Sequence, residues 1–457
     1  MKTYRNFPLC PDAVKAESGG VRASRIPLRC IQATLGLWLM LNGVAQAMPE
    51  LAAPADLPPL AAADAALEAY PGVLAAQSRV AAAQAEGRRL SAGEYEYQAS
   101  AGYTRRKESG LSGMNDWSIG VERGLRLPGK TRLDAETGAN LVAQAGERVG
   151  DARHEAARDL IANWYAALRG QSQAQTWRDQ ASLLQRQREV VTQRIKAGDA
   201  AQMERAQAEA AVLQAEAEVR RAESAAAEAI GSLSARFPGL PAPVLPALHD
   251  STPPVPVGSA SEWVNLALEH NHELSIVRKE TERMRIQARR HQADLKPDPT
   301  LGLHFSRERD GQDNLLGVSL SLPLPGEGRR ARVDVANEEA RALAQVEAAA
   351  RARIVGEIQL THTRLHGALG RLQSLQNMSV QLNDYADLAW RAYQLGETSL
   401  WEALNARKSA QDARREVMLS RLDAHEAAAR LLLDSHQLWP YEKDHEHGLA
   451  EHGAKLN

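Results

Sequence analysis

The sequence has little cysteine, few aromatic residues and almost no net charge. Its 457 residues include two cysteines, Cys10 and Cys30, and aromatic residues make up 4% of the chain. Because both cysteines precede residue 48, the rest of the chain has neither a disulfide framework nor a cysteine metal site. The net charge of −2 does not favour nucleic acid as a partner, because such binding needs a concentrated basic surface. Long stretches of Ala, Glu, Gln, Arg and Leu indicate long helices instead.

The N-terminal segment has the three parts of a secretory signal. Arg22, Arg25 and Arg29 precede an apolar run at residues 31–44, and Ala45-Gln46-Ala47 has the spacing of a cleavage site. The run is too short for a comfortable membrane span. We predict that residues 1–47 are a signal peptide, so that the exported chain is free of cysteine.

Two segments of the chain are related by an internal duplication. Residues 117–130 (WSIGVERGLRLPGK) correspond to residues 314–327 (NLLGVSLSLPLPGE), 197 positions later. Residues 198–208 (GDAAQMERAQA) correspond to residues 396–406 (GETSLWEALNA), 198 positions later. The chain is therefore predicted to contain the signal peptide at 1–47, a first repeat at 48–236, a proline-rich linker at 237–262, a second repeat at 263–440 and a polar, histidine-containing tail at 441–457.

Each repeat is predicted to contain the same elements in the same order: a helix, two strands, a very long helix, a glycine turn and a final helix. The predicted helices are 61–91, 133–196 and 201–235 in the first repeat, and 261–294, 331–395 and 400–437 in the second. A helix of some 60 residues is about 90 Å long. No single globular core buries such a length, so the long helices need coiled-coil partners or a helical barrel.

The four predicted strands alternate between apolar and small or polar residues. Such alternation over about ten residues is typical of a transmembrane β-strand, although an ordinary soluble hairpin shows it too. Aromatic residues near the strand ends favour a membrane-facing belt, which we predict to consist of Tyr95, Tyr97, Tyr103, Trp117 and Phe305. Four strands are too few to close a barrel, which needs about eight, so several protomers have to share one.

Three motifs resemble those of the TolC-like outer-membrane factor family. They are the strand-to-helix corners at 125–132 (LRLPGKTR) and 322–330 (LPLPGEGRR), and the turn at 392–413 (AYQLGETSLWEALNARKSAQDA). The resemblance implies a mainly α-helical fold with a small β part. In that fold a homotrimer shares a long α-helical barrel and a transmembrane β-barrel, with four strands per protomer. It also implies a place in the lipid of the outer membrane with an extension into the periplasm, a periplasmic adaptor protein and an inner-membrane pump of the RND type.

The implied function is passive conduction through the exit duct of a tripartite efflux system, gated by opening of the helix tips. The segment at 297–308 (PDPTLGLHFSRE) is similar to the CzcC-like heavy-metal branch, which makes heavy-metal cations one candidate cargo. Multidrug efflux and type I secretion are alternatives within the family. A soluble periplasmic coiled-coil scaffold or adaptor is an alternative of another class, which explains the long helices but not the four alternating strands.

The resemblance also places functional residues near the helix tips. The motif GETSLWEALNA assigns the pore aperture to Glu402 and Asn405, with Glu204 and Gln207 as the equivalents in the first repeat. Glu402 and Asn405 are three residues apart and so share one face of a helix. Glu402 also fits a helix-capping box with Ser399, and the two roles are compatible. The predicted adaptor-docking tips are Gly198, Asp199, Gly396 and Glu397.

Three other motifs point to different chemistry. Residues 124–131 (GLRLPGKT) match the phosphate-binding Walker A pattern, but the second repeat keeps only the Pro-Gly corner, so we interpret the segment as a strand-to-helix bend. His362 and His366 are spaced to clamp a metal on a helix, without an evident third ligand, and the tail histidines have the character of a weak chelator. No catalytic residue, cofactor or resident metal is predicted, and we do not expect an enzyme.

Overall fold

The structure is a computed structural model that describes residues 56–439, apart from 108, 111, 245–252, 254 and 256. The predicted signal peptide, the histidine-containing tail and part of the proline-rich linker lie outside the described residues. Eight α-helices and four strands are described. The first repeat contains α1 (Leu60–Glu68), α2 (Pro71–Ala92), β1 (Gln98–Arg106), β2 (Met114–Gly124), α3 (Pro128–Lys196) and α4 (Gln202–Arg236). The second contains α5 (Ala260–Glu269), α6 (His272–Ala293), β3 (Thr300–Glu308), β4 (Asp313–Ser321), α7 (Glu327–Gln394) and α8 (Leu400–Asp434).

The prediction of a mainly helical chain with a duplicated order of elements is confirmed. The two long helices, α3 and α7, contain 69 and 68 residues, so each is about 100 Å long. α3 begins with proline at its first position, where the missing N–H has no helical partner to lose. Its basic residues Arg194 and Lys196 lie in the last turn, where they favour the negative end of the helix dipole.

The prediction of a single helix at the start of each repeat is wrong. In the first repeat the helix breaks between Glu68 and Pro71, because proline lacks the N–H that a continuous helix needs and starts α2 instead. In the second repeat it breaks between Glu269 and His272. There the side chain of Asn271 accepts a hydrogen bond from the backbone N–H of Leu274 at 2.7 Å and caps α6.

The helices pack closely because many of the residues between them are small. α2 and α4 pack against successive parts of α3, while α6 and α8 do the same along α7. A Cβ atom on Gly138 of α3 would lie 2.9 Å from the Cα of Gly87 in α2, so only glycine permits this approach. Towards the tips, α7 and α8 meet at a cluster of four buried alanines, Ala386, Ala389, Ala406 and Ala410. Among the described residues, no helix combines the length and the apolar character needed to cross a membrane.

The four strands form one antiparallel sheet in the order β1-β2-β3-β4. The pairing of β2 with β3 joins the two repeats, and it leaves β1 and β4 as the two edges of the sheet. Cross-strand neighbours Ala101, Ile119, Phe305 and Leu316 form an apolar row on one face. The adjacent row on the other face consists of Ser100, Gly120, His304 and Gly317. The predicted alternation of the strands is therefore present in the sheet.

The strand boundaries differ from those predicted. β1 begins at Gln98, so Tyr95 and Tyr97 of the predicted belt precede it. β2 ends at Gly124 and β4 ends at Ser321, so the apolar residues of the two Leu-Pro-Gly corners lie beyond the sheet. The corners alternate like strands because their extended chain leads each repeat into its long helix.

Candidate functional site

The two helix tips have the same backbone structure. Gly198 and Gly396 adopt φ values of +84° and +80°, which favour glycine. After α3 the amide of Asp199 donates to the carbonyl of Arg194 at 2.9 Å, and after α7 the amide of Glu397 donates to that of Ala392 at the same distance. These are the hydrogen bonds of a glycine-terminated helix, and they turn the chain sharply into α4 and α8. All four predicted docking residues at these tips are exposed.

The two predicted aperture residues of the second repeat are exposed on the first turns of α8. The hydroxyl of Ser399 accepts a hydrogen bond from the amide of Glu402 at 3.2 Å, which forms half of the expected capping box. The carboxylate of Glu402 accepts a hydrogen bond from the hydroxyl of Thr398 at 2.6 Å instead of turning back to the Ser399 amide. Glu402 therefore keeps an exposed carboxylate, and Asn405 lies one turn further along α8.

In the first repeat, the predicted aperture residue Glu204 is engaged within the protomer. The hydroxyl of Tyr393, at the end of α7, donates a hydrogen bond to Oε2 of Glu204 at 2.6 Å. Arg194 donates to the carbonyl of Tyr393 at 2.9 Å and lies over its ring, 4.4 Å from the ring centroid. We call these three residues the tip latch, because they fasten the end of α7 to the tip of the first repeat. Gln207 is half-buried one turn beyond Glu204.

Burial and the hydrogen bond to Glu204 together raise the pKa of Tyr393 to about 12. Tyr393 is 2% exposed, so water competes little for this hydrogen bond. The phenol therefore remains a hydrogen-bond donor throughout the neutral pH range. Sequence reasoning missed Tyr393 and Arg194, although a tyrosine three residues before the tip glycine was the available signal.

Large apolar side chains are exposed beside the tips. Met203 and Trp401 occupy corresponding positions, 198 residues apart, in the first turns of α4 and α8. They are 70% and 63% exposed, and Leu395 in the second turn is 75% exposed. Exposed apolar residues grouped in this way mark surfaces that bind other proteins.

The lysine of the Walker-like segment is buried where the sheet meets the helices. Lys130 is 2% exposed, and its ammonium group lies 2.9 Å from Oδ1 of Asp298 and 3.1 Å from Oδ1 of Asp294. Asp298 also accepts hydrogen bonds from the hydroxyl of Tyr95 at 2.9 Å and the amide of Leu127 at 3.1 Å. Lys130 therefore joins the corner of the first repeat to the chain that enters β3, and its charge is already paired with carboxylates.

Burial alone would raise the pKa of Asp298, but the hydrogen bonds from Lys130, Leu127 and Tyr95 hold it below its usual value. A second set of ion pairs adjoins this one. Asp134 accepts from Arg126 at 2.9 Å and from Arg290 at 2.6 Å, while Arg126 also donates to the carbonyl of Leu90 at 2.7 Å. We call this group of paired charges around Lys130, Asp298 and Asp134 the junction. It binds α2, α3 and α6 together.

The aromatic residues of the predicted belt have different surroundings. The rings of Trp117 and Phe305 are neighbours on the apolar face, with centroids 5.5 Å apart, and Tyr103 is 69% exposed. Tyr97 lies under the guanidinium of Arg123, whereas Tyr95 donates to the buried junction. Tyr95 therefore has a structural partner in addition to any contact with lipid.

The two histidines singled out on the long helix of the second repeat are neighbours. Nε2 of His366 lies 3.2 Å from Nε2 of His362 on the surface of α7. Within the part of the chain that the structure describes, no group of three or more His, Cys, Asp or Glu side chains has the geometry of a metal site.

Comparisons with known proteins agree with this architecture. Residues 263–433 match the model of the family described as outer membrane efflux protein. No curated protein sequence matches the chain. Solved structures match its fold, among them CusC, whose folding and transmembrane channel formation have been described (14% identity, TM-score 0.71, 82% of this chain and 91% of that chain covered).

Two further matches are outer-membrane channels. CmeC of Campylobacter jejuni is 14% identical with a TM-score of 0.69, and the match covers 87% of this chain and 89% of that one. MtrE of Neisseria gonorrhoeae, in its open state, is 16% identical with a TM-score of 0.64, and the match covers 82% and 88%. The second repeat therefore matches the outer membrane efflux protein family, and the two repeats together have the fold of these solved channel structures.

Proposed function

We propose that three copies of this chain form the outer-membrane exit duct of a tripartite efflux system, with the helices extending into the periplasm. The observation that carries the proposal is the sheet. Its edge strands β1 and β4 have no partner within the described protomer, and one of its faces is apolar and exposed. Unpaired edges are not tolerated in lipid, so a membrane-inserted sheet has to close on copies of itself.

Three protomers supply twelve strands, which satisfies the minimum of about eight for a closed barrel. Because each protomer has an even number of strands, β4 of one protomer meets β1 of the next in the antiparallel sense. The apolar row that contains Ile119 and Phe305 then faces lipid. The row of Ser100, Gly120, His304 and Gly317 faces the lumen, and three of its four residues are small.

The helices support the same assembly. α7 lies at one side of the protomer, packed on α6 and α8, while α2 and α4 lie at the other side, packed on α3. Apolar side chains on α7 have no covering partner within the described protomer: Val335, Val346, Leu360, Val380, Tyr385 and Leu388 are all about half exposed or more. Packing α7 against α2 and α4 of a neighbouring copy would remove this area from water.

The tips supply the surface for a periplasmic adaptor, and through it for an inner-membrane pump of the RND type. Gly198, Asp199, Gly396 and Glu397 are exposed there, beside Met203 and Trp401. A mixed surface of this kind, with a large aromatic residue amid polar groups, suits a protein partner. The cargo remains a prediction from residues 297–308, which resemble the heavy-metal branch.

Reconstitution in a planar lipid bilayer tests this function. We expect detergent-extracted protein to insert and to conduct ions in steps of uniform size. The soluble scaffold predicts recovery from the periplasm without detergent and no conductance. The exposed apolar face of the sheet favours the duct, because a soluble protein would have to cover it.

Replacing Glu402 with alanine tests the aperture in the same bilayers. Three equivalent carboxylates around an axis attract cations, so their removal should lower cation conductance about twofold or more in 0.1 M salt. The difference should shrink in 1 M salt, where charges are screened within about 3 Å.

Glu86→Ala serves as the control for this experiment. Glu86 is a partly exposed glutamate on α2, paired with Arg89 and remote from the tips. It should leave conductance unchanged at both salt concentrations. Equal conductance of the wild type and Glu402→Ala at low salt would exclude Glu402 from the aperture.

A further inference from the structure

Four histidines converge at the end of α8, a feature that the duct does not explain. The ring of His436 lies 5.2 Å from that of His154, 5.4 Å from that of His272 and 6.2 Å from that of His270, measured between centroids. These residues come from α3, from the start of α6, from the end of α5 and from the turn after α8. Three chain segments distant in sequence thus place imidazoles around one point.

The backbone of α3 is shaped to admit this cluster. A Cβ atom on Gly150 would lie 2.4 Å from the ring of His272, so a larger residue would displace the imidazole. Nε2 of His154 lies 3.3 Å from the carbonyl oxygen of Leu433 and 3.6 Å from Oδ1 of Asp434. A neutral His154 that carries its proton on Nε2 donates to that carbonyl.

His436 belongs to a short segment that folds back on the helices. We call residues 435–439 the C-terminal clamp. The amides of Gln437 and Leu438 both donate to the carbonyl of Leu432, at 2.8 and 3.2 Å, and reverse the chain after α8. Leu438 and Trp439 are then buried in the main apolar core, which also contains residues of α1, α3 and α5. The clamp therefore ties the end of the second repeat to the first.

We propose that the C-terminal clamp is an acid-released fastening, held closed by neutral His154 and His436 and opened when these imidazoles take up protons. The proposal goes beyond conduction, and the clamp is a property of the chain whether or not the chain forms a duct.

The pKa values of His154 and His436 are lower in the closed clamp than in water, as opening by acid requires. Burial is the main cause that lowers the pKa of His154 and of His436 to about 3; nearby Arg158 contributes for His154, and the other histidines contribute for His436. A histidine released into water has a pKa of about 6.5. The open state therefore binds more protons than the closed state below about pH 6.5, and acid favours opening.

Charged groups of both signs surround the cluster. On α1 this is Asp64, which lies 2.7 Å from Arg153. The other acidic ones are Glu147 and Asp151 on α3, Glu273 on α6 and Asp434 on α8; the basic ones are Arg153 and Arg158 on α3, Lys279 on α6 and Arg430 on α8. Most of these charges are already paired. Asp434 lies 2.9 Å from Arg158 and 3.1 Å from Arg430, and Glu147 lies 3.1 Å from Nδ1 of His272. Burial and the neighbouring Glu155 and Glu273 raise the pKa of Asp151, so acid also removes negative charge near the cluster.

Hydrogen exchange of the Gln437 and Leu438 amides measures the opening directly. The full-length protein would be compared at pH 7.5 and pH 5.5 in the presence of EDTA, with rates corrected for intrinsic exchange. The opening constant is the ratio of open to closed clamp. Each released histidine increases it about tenfold from pH 7.5 to pH 5.5, so two histidines increase it about 100-fold. Amides in the middle of α8 should show no comparable change, because the opening is local.

Two substitutions assign the effect to the clamp histidines. His154→Gln and His436→Gln should each reduce the pH dependence to about tenfold, and the double variant should abolish it. His362→Gln is the control, since His362 lies on the surface of α7 outside the cluster, and it should keep the full 100-fold effect. If a variant fails to fold, the pH response of the wild-type protein still tests whether acid opens the clamp.

Two results would overturn the proposal. One is a wild-type opening constant that changes less than about threefold between the two pH values. The other is a full pH response in the double variant. Loss of protection throughout α8 at pH 5.5 would also contradict it, because that is general acid unfolding.

Discussion

Replacing Lys130 with methionine is expected to lower the free energy of unfolding by about 3 kcal/mol, because it leaves Asp298 buried without its cation. The expected value is at the lower end of the range for such changes, since Tyr95 and Leu127 still donate to Asp298. Methionine keeps most of the volume and removes the charge. The measurement is thermal unfolding of the detergent-extracted protein, in which the midpoint should fall by several degrees.

Two further variants show whether the loss of stability comes from the Lys130–Asp298 pair. Lys196→Met removes an exposed lysine at the other end of α3 and should change the midpoint by less than one degree or so. Combining Lys130→Met with Asp298→Asn should cost less than the sum of the two single changes, because the uncompensated charge is then absent. A Lys130→Met protein as stable as the wild type would contradict the assignment of Lys130 to the junction and revive a phosphate-binding role.

Replacing Tyr393 with phenylalanine is expected to open the helix tips. A hydrogen bond to a charged acceptor contributes about 1.5–3 kcal/mol, so its loss should shift the equilibrium between closed and open tips about tenfold or more towards open. In planar bilayers this should appear as a higher open probability at unchanged step size. Glu204→Gln keeps a weaker, neutral hydrogen bond and should give an intermediate value.

Tyr385→Phe is the matched control for the tip latch. Tyr385 lies two turns earlier on α7 and is 49% exposed. Its replacement should leave the open probability as in the wild type. If Tyr393→Phe and Tyr385→Phe give the same open probability, Tyr393 does not hold Glu204 in a latch. Glu204 would then again be a candidate for the aperture.

The tip latch and the buried Lys130 lie at opposite ends of one helix. Lys130 is in the first turn of α3 and Arg194 is in its last, so the helix connects the junction with the sheet to the tip. A 69-residue helix packed along its length by α2, α4, α6 and α8 is a rigid connection between them. At the tips the latch adjoins a small apolar cluster of Val191, Ala208, Tyr393, Leu400 and Ala403.

The sequence predicts the helical architecture well because its signals are local or repeated. The duplicated corner and the duplicated glycine turn place both long helices and both tips within a few residues. The break before Pro71 was also readable, since proline inside a helical pattern ends the helix that precedes it. The strands were predicted to extend into the Leu-Pro-Gly corners, which lie beyond the sheet. This error arose because extended chain that leads into a helix alternates like a strand.

The partners of the site residues are not predictable in this way. Lys130 meets Asp298, which is 168 positions later, and Tyr393 meets Glu204, which is 189 positions earlier. No periodicity links such pairs, because they depend on how the second repeat packs on the first. The motif names one acidic residue near each tip, but only the packing shows that Glu204 is engaged by Tyr393 while Glu402 stays exposed. The four clustered histidines were missed for the same reason.

Disulfide trapping between edge strands tests the shared barrel most directly. With Cys10 and Cys30 replaced by serine, the chain contains no thiol. Cysteine would be introduced at Ala101 in β1 together with Leu316, Val318 or Leu320 in β4, to sample the register between protomers. We expect at least one pair, oxidised in membranes, to give a ladder that ends at a covalent trimer, whereas single cysteines should give none. A ladder that continues beyond three copies, or no cross-link at any register, would contradict a barrel shared by three protomers.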